Sequence, residues 1–317
     1  MTALLDILGI TVPIYLVIAL GYVCTRQGLF AKTDLQVLGK FTLNLALPAL
    51  LFNALSQRPV EDILNYNYLL ANAIGSLMVL AAGLFWARQI QGRSLSYSSM
   101  MAMGMSCPNS GFVGYPIILL SLGPVAGVAL ALNMVVENLL LIPLLLAIAD
   151  SEGTAPGRWK AVLRQTLQNL LKNPMIIGIL LGFLFAFFGL RLPAPLGRTI
   201  DLFAQASAVL SLFVIGGSLV ALQSKGLQST VLPIAVGKLV LHPLAIWLVT
   251  LWWVPIDDPA LRAAAVLTGA MPMLGIYTIL SQRHGHGTVS AAALLVTTVL
   301  SFFSLSALLW VLQLQPV

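Results

Sequence analysis

Asn109, Glu137 and Lys238 each stand in long apolar runs, where a polar side chain must have a task. Glu137, within Asn133-Met134-Val135-Val136-Glu137-Asn138, is the one carboxylate well inside such a run. An unpaired acid at membrane depth is costly and marks a functional site by default. As a titratable group it could take up and release a proton, with Asn133 one helical turn away and facing the same way. Alternatively it pairs with a buried cation, or is held by hydrogen bonds alone. Lys238 is the one cation deep in an apolar run. It could offset the charge of an anionic ligand or pair with Glu137; snorkelling is hard from so far inside. His242, four residues on, shares its face and reads as a hydrogen-bonded helix residue.

Asn109 belongs to a different pattern, Ser106-Cys107-Pro108-Asn109-Ser110-Gly111. Pro108 removes a helical N–H and clashes with the preceding turn, and Gly111 tolerates the backbone that results. A helix restarting at this break points free N–H groups and a partial positive charge into whatever space lies there, which suits a carboxylate. Asn109, Ser110 and Ser106 are then candidate ligand contacts, although Asn109 and Ser110 could serve only as caps. A second break, Ala270-Met271-Pro272-Met273-Leu274-Gly275, repeats the Pro–Gly spacing with Pro272 and Gly275 but has no Asn. Its nearest side-chain donors are Tyr277 and Thr278, and Tyr277 could equally be packing. A site polar on one side and apolar on the other fits an organic anion better than an inorganic ion. Asn44, beside Pro48, either lines a cavity or bonds a neighbouring helix. Met100, Met101, Met103 and Met105 read as packing, not as a metal path.

These residues need a membrane around them. Of the 317 residues 59% are hydrophobic and 8% charged, against about 25% charged in a soluble protein. The mean hydropathy is +0.97. The net charge of +6 comes from Lys and Arg in short connections, as membrane orientation requires, so nucleic acid is not the expected partner. Cys24 and Cys107 fall at different depths, which argues against a disulfide. The three histidines offer no metal-ligand spacing. No phosphate-binding Gly-rich loop, intramembrane Ser–His pairing or Asp-rich motif supports an ATPase or an enzyme. No resident cofactor or metal is expected. The first apolar run lacks a basic start and a cleavage site, and reads as a retained span.

A bilayer core takes about 20 apolar residues per helix. On that measure the sequence predicts an all-α integral membrane protein with ten spans. They lie near 4–25, 35–55, 67–86, 98–122, 125–148, 174–190, 200–222, 230–253, 261–282 and 288–314. Odd-numbered connections carry ten Lys and Arg, from Arg26 to Arg283, and even-numbered ones carry four, Arg58, Arg191, Arg198 and Arg262. That asymmetry puts the odd connections in the cytoplasm and both termini outside. Residues 149–173 read as a cytoplasmic linker, with an interfacial helix over 158–172. Shifted by 161, Pro13, Gly21, Gly28 and Phe52 fall on Pro174, Gly182, Gly189 and Phe213. Shifted by 164, Pro108, Gly111 and Gly123 fall on Pro272, Gly275 and Gly287. Residues 1–148 and 174–317 are therefore expected to be two five-span repeats. Five is odd, so the second is inverted, and broken spans 4 and 9 meet near the midplane.

The chain resembles the auxin efflux carrier family, in its bacterial organic-acid branch. The residues that carry the resemblance are Pro13 through Gly21-Tyr22 and Asn44-Leu45-Ala46-Leu47-Pro48-Ala49-Leu50-Leu51-Phe52. To these are added Cys107-Pro108-Asn109-Ser110-Gly111-Phe112-Val113-Gly114, Lys238-Leu239 with Pro243, and Gly269-Ala270-Met271-Pro272. The resemblance covers nearly the whole chain. It implies a bile-acid-symporter-like fold of ten helices with a scaffold part and a crossover transport part, a homodimer, and a place in the bacterial inner membrane. It also implies a secondary-active carrier of a small organic anion such as malonate, malate or lactate. Coupling to protons, coupling to sodium and uncoupled facilitation remain alternatives at this stage.

Overall fold

The computed structural model describes residues 2–151, 168, 171–220 and 228–312. The interfacial helix expected over 158–172 falls almost wholly outside them. Among the described residues all regular structure is helical, apart from one isolated bridge. Seven helices are long and apolar enough to cross a membrane: α1 (Thr2–Arg26), α2 (Lys32–Ser56), α3 (Tyr66–Ile90), α6 (Val125–Asp150), α8 (Ala194–Leu219), α9 (Thr230–Trp252) and α12 (Gly287–Val311). Shorter helices join them: α4 (Leu95–Ser106), α5 (Ser110–Leu122), α7 (Pro174–Phe187), α10 (Pro259–Ala270) and α11 (Tyr277–Arg283), besides a single turn at Val60–Ile63.

Proline shapes the local geometry. Pro48, Pro116, Pro143 and Pro243 each stand two residues after a π-turn, at 42–46, 110–114, 137–141 and 237–241. A proline ring clashes with the carbonyl four residues back and offers it no N–H. The turn therefore widens, and the N–H just before each proline reaches back five residues: Leu47 to Thr42, Tyr115 to Ser110, Ile142 to Glu137 and His242 to Gly237. Such bulges occur often at functional sites. Ser110, Glu137 and Lys238 all lie on one.

Helices α1, α2, α7 and α8 pack into one panel. Glycines set its spacing. The carbonyl of Phe213 on α8 sits where a Cβ of Gly21 on α1 would go, and a Cβ on Gly182 of α7 would lie 2.9 Å from the carbonyl oxygen of Phe52 on α2. Backbone contact this close is how membrane helices gain packing energy that apolar burial does not give in lipid. α1 and α7 are followed by glycines with positive φ, Gly28 at 81° and Gly189 at 62°.

The remaining helices form a bundle, with α3 against α4 and α9, α6 against α4, α9 against α10, and α12 against α9 and α11. At its centre the chain breaks twice, between α4 and α5 and between α10 and α11. The two breaks cross: the Asn109 N–H donates to the Pro272 carbonyl at 2.8 Å, and the Leu274 N–H to the Cys107 carbonyl at 3.1 Å. Panel and bundle touch where the second half of α2 meets α6, with Gly127 against Ala54, and where α1 and α8 meet α5. Tyr15 of α1 adds a 2.9 Å hydrogen bond to Ser301 of α12.

Gly182→Val is expected to destabilise the panel by about 1–3 kcal/mol, the range for overpacking a close contact. Gly197→Ala, inside α8 where a Cβ meets nothing within 4 Å, is expected to keep or slightly raise stability, by up to about 1 kcal/mol. Thermal unfolding of the two variants in detergent distinguishes them; equal melting temperatures would mean the glycine contacts do not set the panel.

Candidate functional site

Between panel and bundle lies a cavity of about 1570 Å³. Its inner end is the crossing, formed by Pro108 to Phe112 and by Leu274 to Ile276. Its mouth includes Gly28 and Lys32 after α1, and Gln282 and Gly285 at the end of α11. Described residues of the connections after α2, α5, α7 and α9 do not line it. The cavity thus opens at one end of the helices, and panel–bundle contacts close the other. A fitted ligand pocket measures about 300–1,000 Å³, so the outer part is a vestibule and the crossing is where a small ligand can be held.

Three side chains meet at that inner end. Asn109 is 4% exposed and caps α5, its Oδ1 accepting the Phe112 N–H at 3.2 Å. Its Nδ2 is buried with no partner. An unmet buried donor costs about 1–3 kcal/mol, a penalty that a ligand oxygen removes. Ser110 donates its hydroxyl to Glu137 Oε1 at 2.7 Å, and both line the cavity. Among the described residues no ion pair involves Glu137. Asn138, on the next residue, also lines the wall, and its amide donates to Met134 O.

Other sequence candidates lie elsewhere. Ser106 is fully buried outside the cavity, donating to Ala102 O at 2.8 Å. Asn44 is exposed and donates to Lys40 O at 2.7 Å, so it lines nothing. Tyr277 is buried against Gly104 and faces away from the cavity; Thr278 lines it instead. Lys238 does not line the cavity either. Its Nζ donates to Gly269 O at 2.7 Å and lies 2.6 Å from His242 Nδ1. Asn133 lies one turn before Glu137 yet stays out of the cavity, because its amide donates to Tyr68 OH at 3.0 Å and Thr268 Oγ1 at 2.9 Å. Of the residues at the breaks, Pro108, Gly111 and Gly275 line the cavity, and Pro272 accepts the crossing hydrogen bond.

The cation that lines the wall is Lys40, with Lys32 nearer the mouth, both on α2. Lys40 is exposed in the third turn of α2 and borders the open cavity, so its ammonium can reach solvent there. Asp201 is not among the sequence candidates. It lies in the second turn of α8 and accepts from Asn53 Nδ2 at 2.7 Å, within the panel. Among the described residues no group of three His, Cys, Asp or Glu is placed to hold a metal ion.

Comparison with known proteins places the chain among membrane transport proteins. A family described as "Membrane transport protein" matches residues 6–311. A Rhizobium meliloti protein named "Putative malonate transporter" is 29% identical over 97% of this chain and 96% of its own length. YfdV of Escherichia coli K12, named an uncharacterized transporter, is 26% identical over 96% of each chain. Auxin efflux carrier component 2 of Arabidopsis thaliana is 24% identical over 47% of this chain and 23% of its own.

Asn109→Ser separates the two roles of this residue, because it keeps a capping oxygen, adds no charge and removes the free amide donor. Melting close to wild type together with carboxylate affinity lowered about 10- to 100-fold is the expected result, from the ~1.5–3 kcal/mol of a hydrogen bond to a charged group. Wild-type affinity in this variant would show that Asn109 is a cap alone.

Proposed function

This chain belongs to the auxin efflux carrier family of membrane transport proteins, and from that premise we propose that it is a secondary-active carrier of a small organic anion. The observation that carries the reading is the partnerless Asn109 amide at the closed end of a cavity with Lys40 on its wall. A carboxylate seated there accepts from Asn109 Nδ2 and gains from the positive end of α5. Lys40 and Lys32 draw it in from the mouth. The relative named for malonate points to the same substrate class.

Ten spans in two inverted repeats fit the panel contacts. Gly21 and Phe213 touch, and so do Gly182 and Phe52, the residues that the 161-residue offset pairs. Gly28 and Gly189, paired by the same offset, both take positive φ. Each half thus lends the other its panel partner, as a two-fold relation requires. By the Lys and Arg asymmetry the cavity mouth faces the cytoplasm. Transport is then alternating access: the bundle moves against the panel, closing the mouth and opening the other side around the crossing. The family resemblance extends the reading to a homodimer, which cross-linking in native membranes tests.

Glu137 supplies proton coupling in this reading. Two like charges ~4 Å apart repel by about 4 kcal/mol at an effective dielectric of about 20. An anion beside Glu137 is therefore bound best once that carboxyl has taken a proton, and the two travel together. The test is uptake of mono- and dicarboxylates and indole acids into proteoliposomes under imposed proton gradients. Wild type accumulates a carboxylate down a proton gradient; Glu137→Gln exchanges it across the bilayer but no longer accumulates it. Accumulation by Glu137→Gln at the wild-type level would remove Glu137 from coupling, and no uptake of any organic acid by wild type would remove the substrate class.

A further inference from the structure

Broken helices leave carbonyls at the C-terminal end of each half-helix, where the helix dipole is negative. In secondary carriers those ends are where a coupling sodium ion is coordinated. Here the end of α10 is occupied by the protein itself: Lys238 Nζ donates to Gly269 O at 2.7 Å, one residue before the break.

The ammonium is held by a chain of side chains with one consistent direction. Taken as an ammonium, Lys238 has donors only, which assigns His242 Nδ1 as its acceptor and His242 Nε2–H as the donor to Ser76 Oγ at 2.9 Å. Ser76 donates to Asn72 Oδ1 at 3.2 Å, and Asn72 Nδ2 donates to Asn133 Oδ1. Asn133 donates to Thr268 Oγ1, which donates to Ala264 O at 2.8 Å. Every group is buried, and the chain returns to α10, the helix whose end Lys238 caps. It ties α3, α6, α9 and α10 together behind the crossing, on the side away from the cavity.

We propose that Lys238 is a built-in cation that takes the place of a coupling metal ion at the second break, so that transport requires no sodium and the broken helix stays capped throughout the cycle. Lys238 is a positioning residue: it acts on Gly269 and α10, and does not touch the substrate. This rests on the carrier reading only for its consequence in transport; the charge at α10 is testable without any substrate.

The experiment compares purified wild type and Lys238→Ala by thermal melting in detergent, in sodium chloride or choline chloride of equal ionic strength. It is paired with carboxylate uptake in proteoliposomes in the same salts. Wild type is expected to melt and transport alike in both salts. Lys238→Ala is expected to melt lower and transport at least about tenfold more slowly, equivalent to about 1.4 kcal/mol. Methylammonium, which fits the vacated site, is expected to restore part of both; tetramethylammonium, which has no N–H, is not. A merely structural loss would not respond to one amine and ignore the other. Sodium-stimulated melting or uptake in wild type would overturn the proposal, as would wild-type uptake by Lys238→Ala without added amine. If Lys238→Ala does not fold, the wild-type salt comparison decides alone.

Discussion

Two backbone hydrogen bonds between the breaks, Asn109 N–H to Pro272 O and Leu274 N–H to Cys107 O, are the constraint on which the remaining structure depends. In the hydrocarbon of a bilayer an unmet backbone group costs several kcal/mol, because lipid offers it no hydrogen bond. Pro108 and Pro272 each stand at a break between helices, and inside a membrane such a break is tolerated only when buried in protein or lining an aqueous cavity. Each break therefore satisfies the other, and a bundle must surround the crossing to keep lipid out. Once that is done, Asn109 is fixed as the cap of α5, Ser110 faces Glu137, and the half-helix ends point into one space.

The cross also explains why motion should fall between two bodies and not within them. Inside the bundle, polar side chains from Lys238 to Thr268 bridge four helices, and each bond depends on the direction of the next. Inside the panel, backbones approach so closely at Gly21, Gly178, Gly182 and Gly216 that sliding would collide carbonyls with Cα atoms. Among the described residues the seam between panel and bundle has less to hold it: small residues such as Gly127 and Ala54, aromatic edges such as Tyr15 on Phe302, and one side-chain hydrogen bond. Helix packing of this kind can be remade at another angle at modest cost.

Much of this was legible in the sequence because Pro and Gly act locally. The two breaks, the cap at Asn109 and the panel glycines all follow from backbone chemistry. The π-turns were legible in principle too, since Pro116 and Pro143 follow Ser110 and Glu137 by six residues. What was hidden depends on helix rotation. Lys238 and Lys40 are both cations in apolar sequence, and only packing decides that Lys238 turns inward to Gly269 while Lys40 borders the cavity. Asn133 and Glu137, four apart, share a face by helical geometry, yet one enters the buried network and the other the cavity. The polar chain itself is scattered over Asn72, Ser76, Asn133, Lys238, His242 and Thr268, and no local pattern joins them.

In the proposed cycle the bundle moves against the panel around a fixed crossing. Distances between spin labels at Gln36 on α2 and Gln282 on α11, on opposite walls of the cavity, test it most directly by pulsed electron resonance in lipid. Two populations are predicted, with the shorter distance gaining weight when a transported carboxylate is added, while a label pair within the bundle keeps one distance. A single unchanging distance across the mouth, in labelled protein that still transports, would contradict the account.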